Sequence, residues 1–296
     1  MTRLHSYSST LVTSVLFGSA LVCAGSTGCA IKALDNGIQI TSLEAFATKT
    51  PSVKTSTTDW DGRAIEVENV NGDVEVIGEV GRTKIEATAT FFARAEKEED
   101  AVSAMKDIET AFGVEERPGN YYVHCAQASK AFGSAPVGTT GCRVTIRVPA
   151  GTTDKGVPFK ARAGTGSLKA SGLTAASGQQ LLFVAGTGDT TLSGLTGGVK
   201  VQADVGDVDL GVTPTVGSVV TVDIGEGSSG LGDITLRLPD AFAAGAITLT
   251  VPSGNAVDTS AFSDVVNGQA RGAAGVGAAS ITATVHGVGD IKLLKL

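Results

Sequence analysis

Five Gly-Asp pairs recur along the 296-residue chain, and their carboxylates are the groups that could do chemistry. Carboxylates that lie close together can bind Ca²⁺, which prefers several oxygen ligands, or serve as the acid and base of a glycoside hydrolase. Each Asp is followed by residues that alternate in polarity, as in VNGDVEVIG. The pairs are Gly72–Asp73, Gly188–Asp189, Gly206–Asp207, Gly232–Asp233 and Gly289–Asp290.

The pattern around these pairs favours a turn over a catalytic or metal site. Glycine permits a left-handed corner, and an aspartate side chain can bond its own backbone to stabilise that corner. Unpaired carboxylates stacked at the spacing of strands, about 4.8 Å, would repel each other. The spacing between pairs is also uneven. We therefore assign these ten residues to repeat turns and expect no catalytic residue, no metal and no cofactor.

Other signatures of catalysis or nucleotide binding are weak. The two histidines beyond the first 29 residues, His124 and His286, are far apart in sequence, and no Gly-x-Ser-x-Gly motif is present. GEGSSG at 225–230 matches a phosphate-loop pattern, but a strand-like segment follows where a helix is required. The net charge of −7 argues against a nucleic-acid partner, because phosphate binding needs a basic face.

The elements that position the Gly-Asp pairs can be read from the alternation after each Asp. The first and third following residues are apolar in every copy except at Thr190, so the same face of each short strand points inward. Gly166–Ser167 begins a sixth copy that lacks the Asp. The inward positions are Val74 and Val76, Leu168 and Ala170, Thr190 and Leu192, Val208 and Leu210, Ile234 and Leu236, and Ile291 and Leu293.

Successive copies from Gly166 to Gly232 are 22, 18 and 26 residues apart, and this spacing indicates the fold class. A repeat of about 20 residues with two short strands and two turns fits one coil of a β-solenoid. The same pattern could fold as hairpins in a β-sandwich. We expect an all-β, single-stranded β-solenoid, with the β-sandwich as the alternative.

One helix interrupts the strands. The segment at about 95–112 places Val102, Met105, Ile108 and Phe112 on one helical face, and Gly113 is well placed to end it. Such a stripe is typical of a helix that packs on the flank or end of a sheet.

The first residues have the form of an export signal. Arg3 precedes an apolar stretch that is too short and too rich in Ser and Gly for a comfortable membrane span. Ser26-Thr27-Gly28-Cys29 resembles a lipobox, with ordinary cleavage after Ala24 as the alternative. We expect a signal peptide at 1–28, lipidation of Cys29, a flexible tether at 29–58 and a folded domain at 59–296.

Two cysteines remain after the signal. Cys125 and Cys142 lie at the facing ends of two predicted strands, NYYVHC and CRVTIRV. In an oxidising compartment this arrangement predicts a disulfide rather than two buried thiols. A metal site is the less favoured interpretation, because no four-ligand spacing is present.

The ordered set of motifs resembles the bacterial "putative adhesin" β-solenoids, which are related to the head domains of auto-transporter adhesins. VENVNGDVEVIG, AGTGDTTLSGL, ADVGDVDLGV and GLGDITLRLP carry the resemblance, over roughly residues 60–296. It implies a non-catalytic interaction protein of the cell envelope and no transferable catalytic residue.

We therefore expect an outer-membrane lipoprotein on the periplasmic or cell-surface side, with an unknown protein or a surface glycan as its partner. A carbohydrate-binding or polysaccharide-processing β-helix is the alternative function. Sugar binding would need exposed aromatics, and Trp60, Tyr121 and Tyr122 are the only Trp and Tyr residues after the signal.

Overall fold

The computed structural model describes residues 29–34, 37–42, 46–47, 52–95, 98–125, 140–152, 155–227, 230–242, 244–269, 271 and 278–296. The predicted signal peptide at 1–28 lies outside the described residues. The first strands are β1 (Cys29–Leu34), β2 (Gly37–Ser42), β3 (Phe46–Ala47), β4 (Ser52–Asp59), β5 (Ala64–Asn71), β6 (Val74–Glu79) and β7 (Lys84–Ala95). The helix α1 (Glu98–Ala111) and the strands β8 (Gly113–Arg117), β9 (Asn120–Cys125) and β10 (Thr140–Pro149) follow.

The rest of the described chain is β-structure. Its strands are β11 (Phe159–Thr165), β12 (Leu168–Ser171), β13 (Gln180–Thr187), β14 (Thr190–Thr196), β15 (Gly198–Val205), β16 (Val208–Thr213), β17 (Val219–Ile224), β18 (Ile234–Leu238), β19 (Ala244–Thr250), β20 (Val257–Asp258), β21 (Ala279–Val285) and β22 (Ile291–Lys295). Over the described residues, the expectation of an all-β chain with one helix is confirmed.

Most strands belong to two large sheets. Sheet 1 has the order β20-β22-β18-β16-β14-β12-β6-β10-β7-β3, with β4 also on β7, and sheet 2 has the order β19-β21-β17-β15-β13-β11-β5-β9-β8. From β11 onward successive strands alternate between the two sheets, and within each sheet the pairing is parallel. The presence of two large sheets also agrees with the alternative prediction, because a β-sandwich consists of two packed sheets. Among the described strands, the antiparallel pairing that hairpins require occurs only on the N-terminal side, at β1–β2, β3–β7, β4–β7, β7–β10 and β8–β9.

The core lies between the sheets and is formed by the residues that alternation places inward. Val208 is 1% exposed and Ile234 is fully buried, as the register predicts. All of the other inward positions named from the sequence are buried too, including the polar Thr190. Rows of apolar side chains from adjacent parallel strands therefore form one continuous core.

The helix α1 packs on β7 and contacts β3, β4 and β10 as well. Met105, Ile108 and Phe112 are buried as predicted, but Val102 is only partly buried. Ala101 and Ala104 take the buried positions instead, because the small side chains let the helix approach the sheet closely. Phe112 meets Phe91 of β7 edge to face, with ring centroids 5.6 Å apart.

The predicted flexible tether at 29–58 is wrong for its last residues. Ser52–Asp59 forms β4, which pairs with β7 along its whole length. Val53 and the threonines of this strand favour extended backbone, and β7 offers a complete row of hydrogen-bonding partners. The strands β1, β2 and β3 also fall within the predicted tether.

The two outer strands of sheet 2, β8 and β19, each bond to a residue outside that sheet. At one end, the Ser56 hydroxyl of β4 accepts the Val114 amide of β8 at 3.2 Å. At the other end, the Asn267 side chain accepts the Leu249 amide at 2.8 Å and donates to the Leu249 carbonyl at 2.7 Å. This amide completes the hydrogen bonding of the outer strand β19 and so protects its edge.

Arg271 anchors the segment that covers β19. Its guanidinium lies between the rings of Phe242 and Phe262, 4.3 and 4.9 Å from their centroids. It also donates to both carboxylate oxygens of Asp264. This arrangement satisfies a buried cation and holds the cover in place.

The predicted disulfide between Cys125 and Cys142 is present. Both residues are buried, and the bond joins β9 of sheet 2 to β10 of sheet 1. The crosslink thus connects the two layers beside the first Gly-Asp turn, since the Cys142 carbonyl lies against Gly72.

Candidate functional site

The repeat glycines lie directly on one another along one corner of the molecule, which we call the Gly-Asp corner. Gly206 has φ +128°, and a Cβ built on it would lie 2.6 Å from the carbonyl carbon of Gly188. Real Cβ atoms essentially never come closer than 3.0 Å to such a neighbour. The same close approach to the preceding copy occurs at Gly166, Gly188, Gly232 and Gly289. Glycine is therefore required both by the backbone angle and by the distance between copies.

The aspartates of the corner connect neighbouring copies. Oδ1 of Asp189 accepts the amide of Asp207 at 3.1 Å, and Oδ1 of Asp207 accepts the amide of Asp233 at 2.9 Å. Asp233 and Asp290 continue the series, accepting the amides of Asp290 and Ala256. The expectation that each Asp bonds its own backbone is therefore wrong. The carboxylates form a ladder in which each one bonds to the next copy.

The ladder changes at its first members. Asp73 accepts the amide and the hydroxyl of Ser167, both at 2.9 Å. Ser167 occupies the place of an aspartate in the sixth copy, and the Asp189 amide has no side-chain acceptor among the bonds described for that copy. Asp73 also lies 3.5 Å from the Arg143 guanidinium, on the solvent side.

Asn69 is a structural residue of the corner that the sequence argument missed. It is fully buried, and its Nδ2 donates to the carbonyls of Gly72, Asp73 and Cys142 at 2.8–3.2 Å. Gly72 and Asp73 form the turn between β5 and β6, and Cys142 belongs to β10, which pairs with β6 there in place of a regular copy. A buried amide is the means of satisfying them. The available signal was a polar asparagine at an inward position of the first alternating strand, where β11, β13 and β15 carry alanine.

An apolar column runs beside the ladder. The residue before each of the last three repeat glycines is Val205, Leu231 or Val288, and these are 37%, 51% and 62% exposed. They pair in parallel from one copy to the next. The corresponding residues of two earlier copies are Thr165 and Thr187. The C-terminal part of the Gly-Asp corner therefore has an exposed apolar column next to exposed carboxylates.

The structure does not collect the predicted chemistry-bearing residues into a metal site. Among the described residues no group of three or more His, Cys, Asp and Glu side chains is arranged to hold a metal. His124 stacks on Tyr122, whereas His286 lies 4.0 Å from Asp223. Burial raises the pKa of Asp223, and the Glu226 charge adds to that effect. GEGSSG includes residues 228 and 229, which lie outside the described residues.

The tyrosine pair does not form the exposed aromatic surface that sugar binding would use. Tyr121 is 2% exposed, and its hydroxyl bonds to Arg63 at 2.9 Å. The Tyr122 ring is covered by the Arg117 guanidinium, 3.6 Å from its centroid, and its hydroxyl donates to Glu68 at 2.6 Å. Burial, followed by the Glu68 carboxylate, raises the pKa of Tyr122 to about 12.

Trp60 instead lines an open groove at the other ends of strands β5, β11 and β13, away from the Gly-Asp corner. The groove has two adjoining cavities of about 530 and 460 Å³ that share Pro158 and Gln179. We call it the Trp60 groove. Trp60, Asp61 and Lys155 line the first cavity, and Glu66, Lys160 and Gln180 are among the residues that line the second. Four segments that are far apart in sequence contribute to the groove, because Asn120 of β9 also lines the second cavity. Only the pairing of β9, β5, β11 and β13 brings them together.

Comparisons with known proteins give two weak structural likenesses. No family model and no curated protein matches the chain. A "putative cell adhesion protein" from Clostridium sporogenes matches with a TM-score of 0.47 and 15% identity, over 83% of this chain and 100% of that one. A "putative adhesin" from Bacteroides fragilis matches with a TM-score of 0.26 and 13% identity, over 82% and 97%. At these values neither likeness carries an argument about this chain.

Among the described residues, no helix has the length and apolarity needed to cross a bilayer.

Proposed function

We propose that the protein is an exported, lipid-anchored scaffold of the cell envelope that presents a rigid surface to a binding partner without catalysing a reaction. The observation that carries the proposal is the parallel, one-to-one stacking of the Gly-Asp copies. Such stacking supports a β-solenoid, in which each coil contacts only its neighbours and extends a common surface.

The pairing of the strands supports the solenoid over the sandwich. Thr191 pairs with Lys169 on one side and with Asp209 on the other, all in parallel register. Sheet 2 has the same arrangement, with Val201 between Phe183 and Val222. In a sandwich built from hairpins, sequential strands would instead pair with each other in antiparallel fashion.

The Gly-Asp corner supports an interaction role. Its carboxylates accept backbone amides of the next copy, which is a structural use of these groups. The same residues are exposed beside the apolar column of Val205, Leu231 and Val288. Exposed apolar residues in contiguous positions are typical of surfaces that bind partners.

The corner can be tested with substitutions that the fold already tolerates. Val205→Thr, Leu231→Thr and Val288→Thr together place at each position the residue found at Thr165 and Thr187. We expect this triple variant to fold normally and to reduce attachment and aggregation of the producing cells, compared with cells that carry the wild-type chain. Attachment equal to wild type at equal surface level would contradict the role of this corner.

The lipid anchor is proposed on the sequence alone. Metabolic labelling of the full chain with an alkyne fatty acid in a bacterial host tests it directly. We expect the label in the wild type and in Cys23→Ser, which is the matched control, and its loss in Cys29→Ser. Label retained in Cys29→Ser would refute the anchor. Protease treatment of intact cells then distinguishes the cell-surface side from the periplasmic side.

A further inference from the structure

The Trp60 groove has the dimensions of a ligand site. Its cavities of about 530 and 460 Å³ each fall within the range of roughly 300–1,000 Å³ found for small-molecule sites. Because the two cavities adjoin at Pro158 and Gln179, the groove is elongated, and it suits a ligand built from several linked units rather than a single compact molecule.

Trp60 contributes an apolar surface whose polar atom is already satisfied. Its Nε1 donates to the Arg63 carbonyl at 2.7 Å, and its ring packs partly against the core. The indole therefore needs no hydrogen bond from a ligand. The apolar C–H face of a sugar ring packs well on such a surface, and Pro158 extends the apolar floor into the second cavity.

Three of the four charged residues that line the groove are paired within the protein. Asp61 is paired with Arg63 at 2.8 Å, and the hydrogen bonds from Arg63 lower the pKa of Asp61. Glu66 is paired with Lys160 at 2.6 Å. Lys155 is exposed and has no ion pair among the described residues, so it leaves one positive charge beside the first cavity. An exposed ion pair with this single lysine would add little to binding, so the groove favours an uncharged ligand over a strongly charged one.

The polar side chain at the centre of the groove is an amide. Gln179 is exposed at the junction of the two cavities, and an amide both donates and accepts, as hydroxyl groups require. An extended peptide is a poorer fit, because β5, β11 and β13 are each paired on both sides and offer it no free edge.

We propose that the Trp60 groove binds an uncharged oligosaccharide segment, with one sugar ring on Trp60 and its hydroxyls bonded to Gln179. The inference deepens the proposed envelope role and rests on it, because a chain outside the cytoplasm meets surface glycans. It assigns the glycan to this groove and leaves the Gly-Asp corner to other contacts.

Trp60 is the only tryptophan of the chain, so its fluorescence reports on the groove without background. Titration of the full chain with cellohexaose, maltohexaose and chitohexaose tests the proposal. Polygalacturonate serves as the anionic control, and a neutral proline-rich decapeptide is the peptide control. We expect a saturable change in fluorescence with at least one of the neutral sugars and none with the two controls.

Variants locate the binding. In calorimetric titrations, Trp60→Phe should weaken sugar binding about tenfold and Gln179→Ala about fivefold, as expected for the loss of one aromatic contact and one hydrogen bond. Gln202→Ala, an outward glutamine of the same sheet, should bind like the wild type. Because Gln179 is exposed, its variant tests the site even if Trp60→Phe folds poorly.

Three results would overturn the proposal: no response to any neutral sugar, an equal or greater response to either control, or sugar binding that Gln179→Ala leaves unchanged. Failure here is separable from failure of the envelope role. A silent titration with Cys29 acylated removes only the glycan site, whereas sugar binding without acylation removes only the proposed anchor.

Discussion

Replacing a stacked repeat glycine should destabilise the fold more than replacing a glycine that has only an unusual backbone angle. Gly206→Ala places a methyl group 2.6 Å from the Gly188 carbonyl carbon, at a residue with φ +128°. The backbone angle costs roughly 1–3 kcal/mol for a residue other than glycine. The overlap forces adjacent copies apart and adds roughly 1–3 kcal/mol, as overpacking does elsewhere.

The expected loss of unfolding free energy is therefore about 4 kcal/mol. At roughly 2–4 °C per kcal/mol for a chain of this size, the Tm should fall by roughly 8–16 °C. Urea unfolding followed by far-ultraviolet circular dichroism measures the free energy, and a thermal scan measures the Tm.

Gly254→Ala is the matched control. Gly254 has φ +97°, but no atom lies within 4 Å of a Cβ built there, so only the cost of the backbone angle applies. The difference between the two variants isolates the contribution of stacking. If Gly206→Ala costs no more than Gly254→Ala, close approach of the copies does not determine the need for glycine.

Four other perturbations have defined outcomes. Cys142→Ser should lose about 3 kcal/mol, because the crosslink spans 17 residues; identical melting of the reduced and oxidised wild type would refute this. Asn69→Leu should cost roughly 1–3 kcal/mol in urea unfolding, since the Gly72 and Cys142 carbonyls lose the Asn69 donor and the Asp73 carbonyl keeps only the Val144 amide, and a neutral effect would count against its assigned role. Arg271→Met should release the segment that covers β19, so amide hydrogen exchange should accelerate at 244–250 and stay unchanged at 199–203. An equal change in the exchange rate of both segments would contradict this. The Tyr122 pKa of about 12 favours the neutral phenol in the fold, so this contribution is complete below about pH 10 and is lost as the pH rises towards 12. Glu68→Gln should lower the pKa measured by phenolate absorbance but leave it above 10, because burial remains, and an unchanged titration would exclude the Glu68 contribution.

Local alternation was sufficient to predict which residues form the core. Val208 and Ile234 follow their Gly-Asp pairs in the same register, and side chains on a strand alternate between faces, so their burial follows from the sequence. The buried face of the helix, with Met105, Ile108 and Phe112, was predictable from helical periodicity. The burial of Ala101 and Ala104 on that face, where Val102 was expected, was not predictable, because small residues carry little hydrophobic signal.

Features that depend on distant partners could not be predicted. Asp207 bonds to the amide of Asp233, 26 residues away, and no local pattern identifies that acceptor. The strand β4 has little apolar character and is stabilised by the backbone of β7. The Trp60 groove joins four segments whose proximity follows only from the pairing of β9, β5, β11 and β13. The sequence analysis therefore missed both the ladder and the groove.

The central claim is that the Gly-Asp copies stack in parallel, and one distance tests it most directly. Lys169 and Lys292 lie on the exposed face of sheet 1 in a row that continues through Thr191, Asp209 and Thr235. Four strand spacings of about 4.8 Å separate their backbones by about 19 Å. Electron paramagnetic resonance on spin labels at these two lysines should give one narrow distribution near that distance, broadened only by the label linkers. A distribution centred beyond about 30 Å, or as broad as that of the unfolded chain, would contradict the stack and the rigid surface proposed to depend on it.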